Sequence, residues 1–304
     1  MSTQNLLVEL FVEELPPKAL KKIGDAFAQN LQASLQAQGL LADASVLTHF
    51  ASPRRLAVHL TQVLEQADDK QVMQKLMPAS VGLTADGTAT PALLKKLAAL
   101  GANESAVADL KRESDGKAEV LFFNSIVTGV TLPNGLQKAI DETLGKLPIP
   151  KVMGYQLADG WSTVNFVRPA HGLVALHGAD VVNVSVLGLT AGNTTRGHRF
   201  EAGLDPLYIR DADSYAKQLA SEGAVIASFA ERRAEIVRQL AAAASTAGSN
   251  LTPIQDEDLL DEVTGLVERP NVLIGQFEEA FLEVPQECLI LTMKANQKYF
   301  PLLD

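Results

Sequence analysis

Four short stretches of the sequence concentrate residue types that bind anions or exchange protons. Glu13-Glu14-Leu15-Pro16-Pro17-Lys18 sets two carboxylates at a strand-to-helix turn. Such a pair favours a helix N-terminus, or faces a partner or a bound amine. Ser52-Pro53-Arg54-Arg55-Leu56 puts two guanidinium groups beside a rigid turn. One can reach a phosphate while the other packs back on the sheet, because strand neighbours point to opposite faces. Lys146-Leu147-Pro148-Ile149-Pro150-Lys151 is a stiff basic connector, and Phe166-Val167-Arg168-Pro169-Ala170-His171 follows it. Pro169 forces Arg168 into an extended backbone, which projects its side chain at a strand end. Thr194-Thr195-Arg196-Gly197-His198-Arg199-Phe200 gathers three potential cations, two hydroxyls and an aromatic ring, with Gly197 permitting close backbone approach. This suits phosphate or RNA contact, while ion pairing within an acidic protein is the structural alternative.

The usual catalytic devices are missing. There is no GxxxxGK[ST] loop, no GxGxxG after a strand, no HExxH and no GxSxG elbow. His49, His59, His171, His177 and His198 never fall at metal-ligand spacing, so no metal site and no catalytic residue is assigned. A single cysteine, Cys288, excludes an internal disulfide and suits a reducing compartment. The 304 residues are 47% hydrophobic, which supports a large core, and the net charge of -10 excludes a generally basic nucleic-acid coat. Any RNA contact must therefore be local. Residues 146–199 hold five lysines and arginines against two acids, whereas 256–283 hold nine acids against Arg269 alone. That distribution predicts a polarised surface. No apolar run approaches the roughly 20 residues of a membrane helix, and the start lacks a basic signal region. A cytoplasmic protein is expected, with no membrane and no DNA partner.

The positioning elements follow from apolar periodicity. Leu6–Phe11 reads as a strand. Leu20, Ile23, Phe27, Leu31 and Leu35 form one face of a helix running from Lys18 to about Gly39. Strands at Val46–Phe50 and Arg55–Val63 complete a β-α-β-β opening. Further on, Pro91–Leu100 and Gly135–Leu147 read as helices and Glu119–Val130 as a strand. Strands are expected at Thr163–Val167, Gly172–His177, Val181–Leu189 and Val272–Gly275. Helices are expected at Asp213–Glu222, Ser228–Ala244 and Asp256–Val267, the second burying Phe229, Ile236, Val237 and Leu240. The fold class is α+β and multidomain, with mixed or antiparallel sheets and packed helices. The expected domains are 1–65 with 161–200, an inserted module at 66–160, and a helix-rich part at 201–304.

Six motifs in order carry a resemblance. They are Leu7-Val8-Glu9-Leu10 with Glu13–Pro17, Ser52–Leu56, Lys146–Lys151, Phe166–Pro169, Arg196–Phe200 and Met293-Lys294-Ala295-Asn296-Gln297-Lys298-Tyr299-Phe300-Pro301. Together the sequence resembles the β subunit of the bacterial heterotetrameric glycyl-tRNA synthetase, and looks like the N-terminal part of a subunit more than twice as long. The resemblance implies an α2β2 assembly in which the α subunits hold the class II site for ATP (with Mg), glycine and aminoacyl transfer. The β subunit, paired with a second β subunit, would serve tRNA(Gly) recognition. It also implies a B3/B4-like module of the kind found in the phenylalanyl-tRNA synthetase β chain. On this footing Arg54, Arg55, Lys151, Arg168, Arg196, His198 and Arg199 are candidate RNA contacts. Glu13, Glu14 and Lys298 are candidate partner or structural positions. No cofactor is expected in this chain. One departure is that Met153-Gly154-Tyr155 stands where the family usually has Met-Arg-Trp, with Trp161 a few residues later. A scaffold with little RNA contact, or an editing-type hydrolase, are the alternatives to a tRNA-handling role.

Overall fold

A computed structural model describes residues 2–114, 116, 118–248 and 250–304. Two compact units emerge, one formed by residues 1–65 and 131–304, the other by Gln66–Val130. The first opens with strand β1 (Thr3–Val12), helix α1 (Pro17–Ala37) and the hairpin β2 (Leu47–Ser52) and β3 (Arg55–Leu64). Pro17 opens α1, where its missing N–H leaves nothing unsatisfied. The chain then builds the second unit from β4 (Lys70–Pro78), α2 (Ala79–Gly82), α3 (Pro91–Ala99), β5 (Lys111–Ser114) and β6 (Glu119–Val127). That unit is a sheet of order β4-β6-β5 over a core of Leu76, Ala79, Leu93, Leu97 and Leu121.

The chain returns to the first unit with α4 (Leu132–Lys146), the hairpin β7 (Met153–Gln156) and β8 (Thr163–Phe166), then β9 (Ala170–His177) and β10 (Asp180–Val181). Short pairs follow: β11 (Ser185–Val186) with β12 (Leu189–Thr190), and β13 (Thr194–Thr195) with β14 (Leu207–Tyr208). Helices α5 (Tyr215–Ser221), α6 (Phe229–Ala247) and α7 (Glu257–Thr264) come next. The last elements are β15 (Thr252–Pro253, between α6 and α7), α8 (Gln286–Thr292), a π turn at Met293–Gln297, and β16 (Leu302–Leu303), which pairs with β15.

The main sheet runs β10-β9-β1-β3-β2, and every neighbouring pair is antiparallel. Residues from Leu7 to Val12 of β1 are all buried, because both faces of the sheet are covered. On one face Ala51 lies under Gly24 of α1, where an added Cβ would stand 2.5 Å from the Ala51 Cβ. On the other face Phe50 meets Tyr215 of α5 edge-on at 5.3 Å between ring centres. Leu7, Leu176, Leu207 and Leu219 fill that second layer.

Several expectations need correction. The inserted unit ends at Val130 rather than residue 160. Helix α4 buries Leu136, Ala139 and Ile140, and Gln38 donates to the Gly135 carbonyl at 3.0 Å, which ties this helix to the end of α1. Residues 201–304 likewise belong to the same unit as 1–65. The expected strand Val181–Leu189 is split into β10, β11 and β12. Leu187 and Gly188 both have positive φ and turn the chain back in two residues, so the apolar run is not straight. On α6 the buried face is Phe229, Arg232, Ile236 and Ala244, and Val237 is exposed. The i+3/i+4 stripe passes one position away from Val237 and takes an arginine instead. The expected strand Val272–Gly275 does not form, and the segment joins no sheet among the described residues. No helix among the described residues is long and apolar enough to cross a membrane.

Candidate nucleic-acid interface

The candidate loop is built from below by buried charge. Pro53 and Arg54 form the two-residue turn between paired Ser52 and Arg55. Because Arg54 sits in the turn, strand alternation does not separate it from Arg55. Both guanidinium groups reach Glu268: Arg54 Nη2 at 2.8 Å and Arg55 Nη1 at 2.9 Å. Phe11 lies under both, 5.3 and 5.5 Å from ring centre to guanidinium carbon. Arg55 Nε stands 3.5 Å from Glu9, whose carboxylate also accepts from Tyr215 and Thr195. The expectation that Arg54 and Arg55 contact RNA is therefore corrected, since both are buried and paired inside the protein. Taking a guanidinium out of water demands a partner, and Glu268 and Glu9 supply it.

Burial raises the Glu268 carboxyl, but Arg55 and Arg54 outweigh it and hold the group below the ordinary carboxylate value. For Arg55 burial acts downward, and Glu268 and Glu9 carry the net shift upward. Tyr215 is pushed well up, by burial first and by the Glu9 carboxylate second. A third buried cation, Arg232, donates to carbonyls: Ile226, Ala227, Ala51 and Thr264 accept at 2.8 to 3.1 Å. Burial, with Arg55 adding to it against Glu268, lowers Arg232 to about 9.

The same arginines hold the loop after β13. Arg55 Nη2 donates to the Arg196 carbonyl at 2.6 Å, and Arg54 Nη2 donates to that of Gly197 at 2.7 Å. The His198 N–H donates to the Gly223 carbonyl at 2.7 Å. An added Cβ at Gly197 would lie 2.6 Å from that carbonyl oxygen, so the close approach made by this glycine is to Gly223 of its own chain. The loop backbone is thus fixed while its side chains turn outward.

Arg196 is exposed and pairs with Asp205 at 3.0 Å. Arg199, also exposed, bridges Glu13 at 2.9 Å and Glu14 at 3.2 Å, and Glu13 holds His171 at 3.0 Å on its other side. Arg168 Nε donates to the Glu14 carbonyl at 2.9 Å, and its Nη1 lies 3.3 Å from the Met153 sulfur. The Glu13-Glu14 turn therefore joins Arg168, His171 and Arg199 into one surface. Lys151 is exposed and has no ion pair among the described residues. His198 is half-buried and stands edge-on to Phe200, which is 90% exposed. Trp161, equally exposed, tops the β7–β8 hairpin, where the Asp159 carboxylate accepts from the N–H groups of Trp161 and Ser162.

Lys298 lies elsewhere. It adopts a left-handed backbone, φ 58°, after the π turn, and its Nζ pairs with Glu262 at 3.1 Å. It borders a cleft of about 920 Å³ with Lys18, Lys21 and Lys294. Each of these lysines is matched by Glu262, Asp261 or Asp256. Within the acidic run 256–283, Asp256, Asp261 and Glu262 are thus paired with these lysines. Among the described residues no group of three or more His, Cys, Asp or Glu is placed to hold a metal ion.

Glu268, Arg232 and Tyr215 went unread in the sequence. Glu9 was legible, being a lone charge inside the apolar run Leu6–Val12. Glu268 sits in a polar stretch with no periodicity, and nothing local marks it.

The family described as glycyl-tRNA synthetase beta subunit matches residues 6–304. The chain is 87% identical over 304 residues to the glycine–tRNA ligase beta subunit of Janthinobacterium sp. (strain Marseille). It is 73% identical over 304 residues to that of Thiobacillus denitrificans and 71% identical over 305 residues to that of Acidovorax ebreus. All of this chain is covered in each case, but only 42–43% of each relative.

Proposed function

The chain belongs to the glycyl-tRNA synthetase beta subunit family, and from that premise we propose that it is the tRNA-handling part of a glycine–tRNA ligase. The reaction joins glycine to tRNA(Gly) at the expense of ATP, releasing AMP and diphosphate. The site for ATP, its Mg and glycine belongs to a partner α subunit, and a second β subunit completes the assembly. The cytoplasm, where tRNA is charged, is the proposed location.

The observation that carries this reading is the anchored loop at Arg196–Phe200. Its carbonyls are gripped by Arg54 and Arg55, so Arg196, His198 and Arg199 are presented on a backbone already fixed. A preorganised loop loses little conformational freedom when a phosphate arrives. Glu13, Glu14 and Asp205 hold the guanidinium groups near the surface, and a phosphate oxygen replaces a half-exposed ion pair at little cost. Arg168 and Lys151 extend the same surface.

One observation favours the scaffold reading: both Arg196 and Arg199 already have carboxylate partners. The two readings separate in the complete α and β enzyme carrying Arg196→Ala and Arg199→Ala. The tRNA-handling reading expects weaker charging at limiting tRNA with glycine-dependent ATP–pyrophosphate exchange unchanged. Unchanged charging at every tRNA concentration would favour the scaffold.

A further inference from the structure

Residues 271–291 display seven large apolar side chains to solvent. Leu273, Leu291, Leu282 and Phe281 are the most exposed of them, and Leu273 is 82% exposed. This is not a frayed end. Before it, Glu268 is locked in the buried ion cluster, and Gln239 bridges the Pro270 carbonyl at 3.0 Å and the Val272 N–H at 2.8 Å. After it, Lys294 pairs with Asp256, Lys298 pairs with Glu262, and the Ile254 N–H donates to the Pro301 carbonyl at 2.9 Å. A stretch pinned at both ends thus holds its apolar residues away from the core.

Val272-Leu273-Ile274-Gly275 has strand composition, yet it joins no sheet, and from Leu273 to Phe277 it makes no backbone hydrogen bond among the described residues. An apolar strand with unpaired N–H and C=O groups is a template for another strand. A contiguous apolar surface of this kind marks an interface. Its charge is one-sided. Glu278, Glu279, Glu283 and Glu287 flank the apolar residues, and no lysine or arginine occurs between Arg269 and Lys294.

We propose that residues 272–284 dock against the remainder of the same subunit, on an apolar surface rimmed by Lys and Arg that offers Val272–Gly275 a strand edge. The relatives carry more than twice this length of chain, so such a partner is at hand. Being covalently tethered, it competes at high effective concentration with any separate molecule. The proposal does not depend on any RNA contact.

Hydrogen exchange on the full-length β subunit, alone and with α, tests it. The expected result is that amides of Leu273–Val284 exchange at least about tenfold more slowly than the same sequence as a free peptide. That protection is already present in β alone, is independent of β concentration and does not change when α is added. Exchange at the free-peptide rate in β alone overturns the proposal, whether or not α then protects the segment. Protection that grows with β concentration also overturns it, placing a second copy on the strip instead. In the same full-length chain, Phe277→Asp with Leu282→Asp is expected to restore fast exchange at 272–284 while peptides from β1 and β3 stay protected. Continued protection in that variant contradicts the docking.

Discussion

Glu268 is the residue on which the buried charge turns. It is the shared partner of Arg54 and Arg55, and removing it leaves Arg54 without a counter-charge and Arg55 with Glu9 alone. Breaking one side of a buried pair costs about 3–5 kcal/mol, so Glu268→Ala is expected to lower stability by that order in denaturant titration. The pH dependence has a definite sign. The folded group sits below its ordinary value of 4.5, so its stabilisation is present above that pH and is lost as pH falls through the folded value. Glu268→Gln should therefore flatten the part of the acid-unfolding profile below pH 4.5 that this group supplies. An unchanged slope there would remove Glu268 from the account. Gly197 is the second decisive residue. Gly197→Ala drives a methyl into the Gly223 backbone, which has no flexible end to yield. A loss of about 1–3 kcal/mol is expected from thermal unfolding. Gly197 reads in the sequence as a place where the backbone can approach a phosphate, whereas the close approach in the structure is within the chain. Its counterpart is Gly223, some two dozen residues along the chain, and one-dimensional spacing carries no mark of that.

Among the elements, α1 and α4 allow a matched comparison. Alanine exceeds glycine in a helix interior by about 1 kcal/mol, so each Gly→Ala change starts with a gain. At Gly145 of α4 an added Cβ meets nothing within 4 Å, and Gly145→Ala should stabilise by about 0.5–1 kcal/mol. At Gly24 of α1 the added Cβ stands 2.5 Å from the Ala51 Cβ, so overpacking overrides propensity. Gly24→Ala should destabilise, and urea midpoints that moved the same way for both variants would contradict the packing described here. The long elements were legible because each has one buried stripe, as with Leu20, Ile23, Phe27, Leu31 and Leu35 of α1. The extent of the inserted unit was not. The apolar stripe of α4 predicts a helix but does not say which surface it covers. Nor does Val272–Gly275 reveal that it finds no pairing partner among the described residues.

For the whole molecule, a net charge of -10 leaves only a local surface on which the proposed RNA contact can be made. The proposed one joins Lys151, Arg168, Arg196, His198 and Arg199 around the Glu13-Glu14 turn. Sequence spacing indicated these residues but also placed Arg54 and Arg55 among them. Surface and buried arginines look alike in one dimension, and only their partners separate an RNA-facing side chain from its support. Here Arg54 and Arg55 are supports, holding the Arg196 and Gly197 carbonyls of the loop from which the proposed RNA-facing side chains of Arg196, His198 and Arg199 project. The most direct measurement is the salt dependence of tRNA(Gly) binding by the complete enzyme, with and without Arg196→Ala and Arg199→Ala. The account predicts that the log–log slope falls by about 0.7–0.9 for each phosphate that is no longer neutralised, at unchanged melting temperature. An unchanged slope and affinity in a stably folded double variant would contradict it.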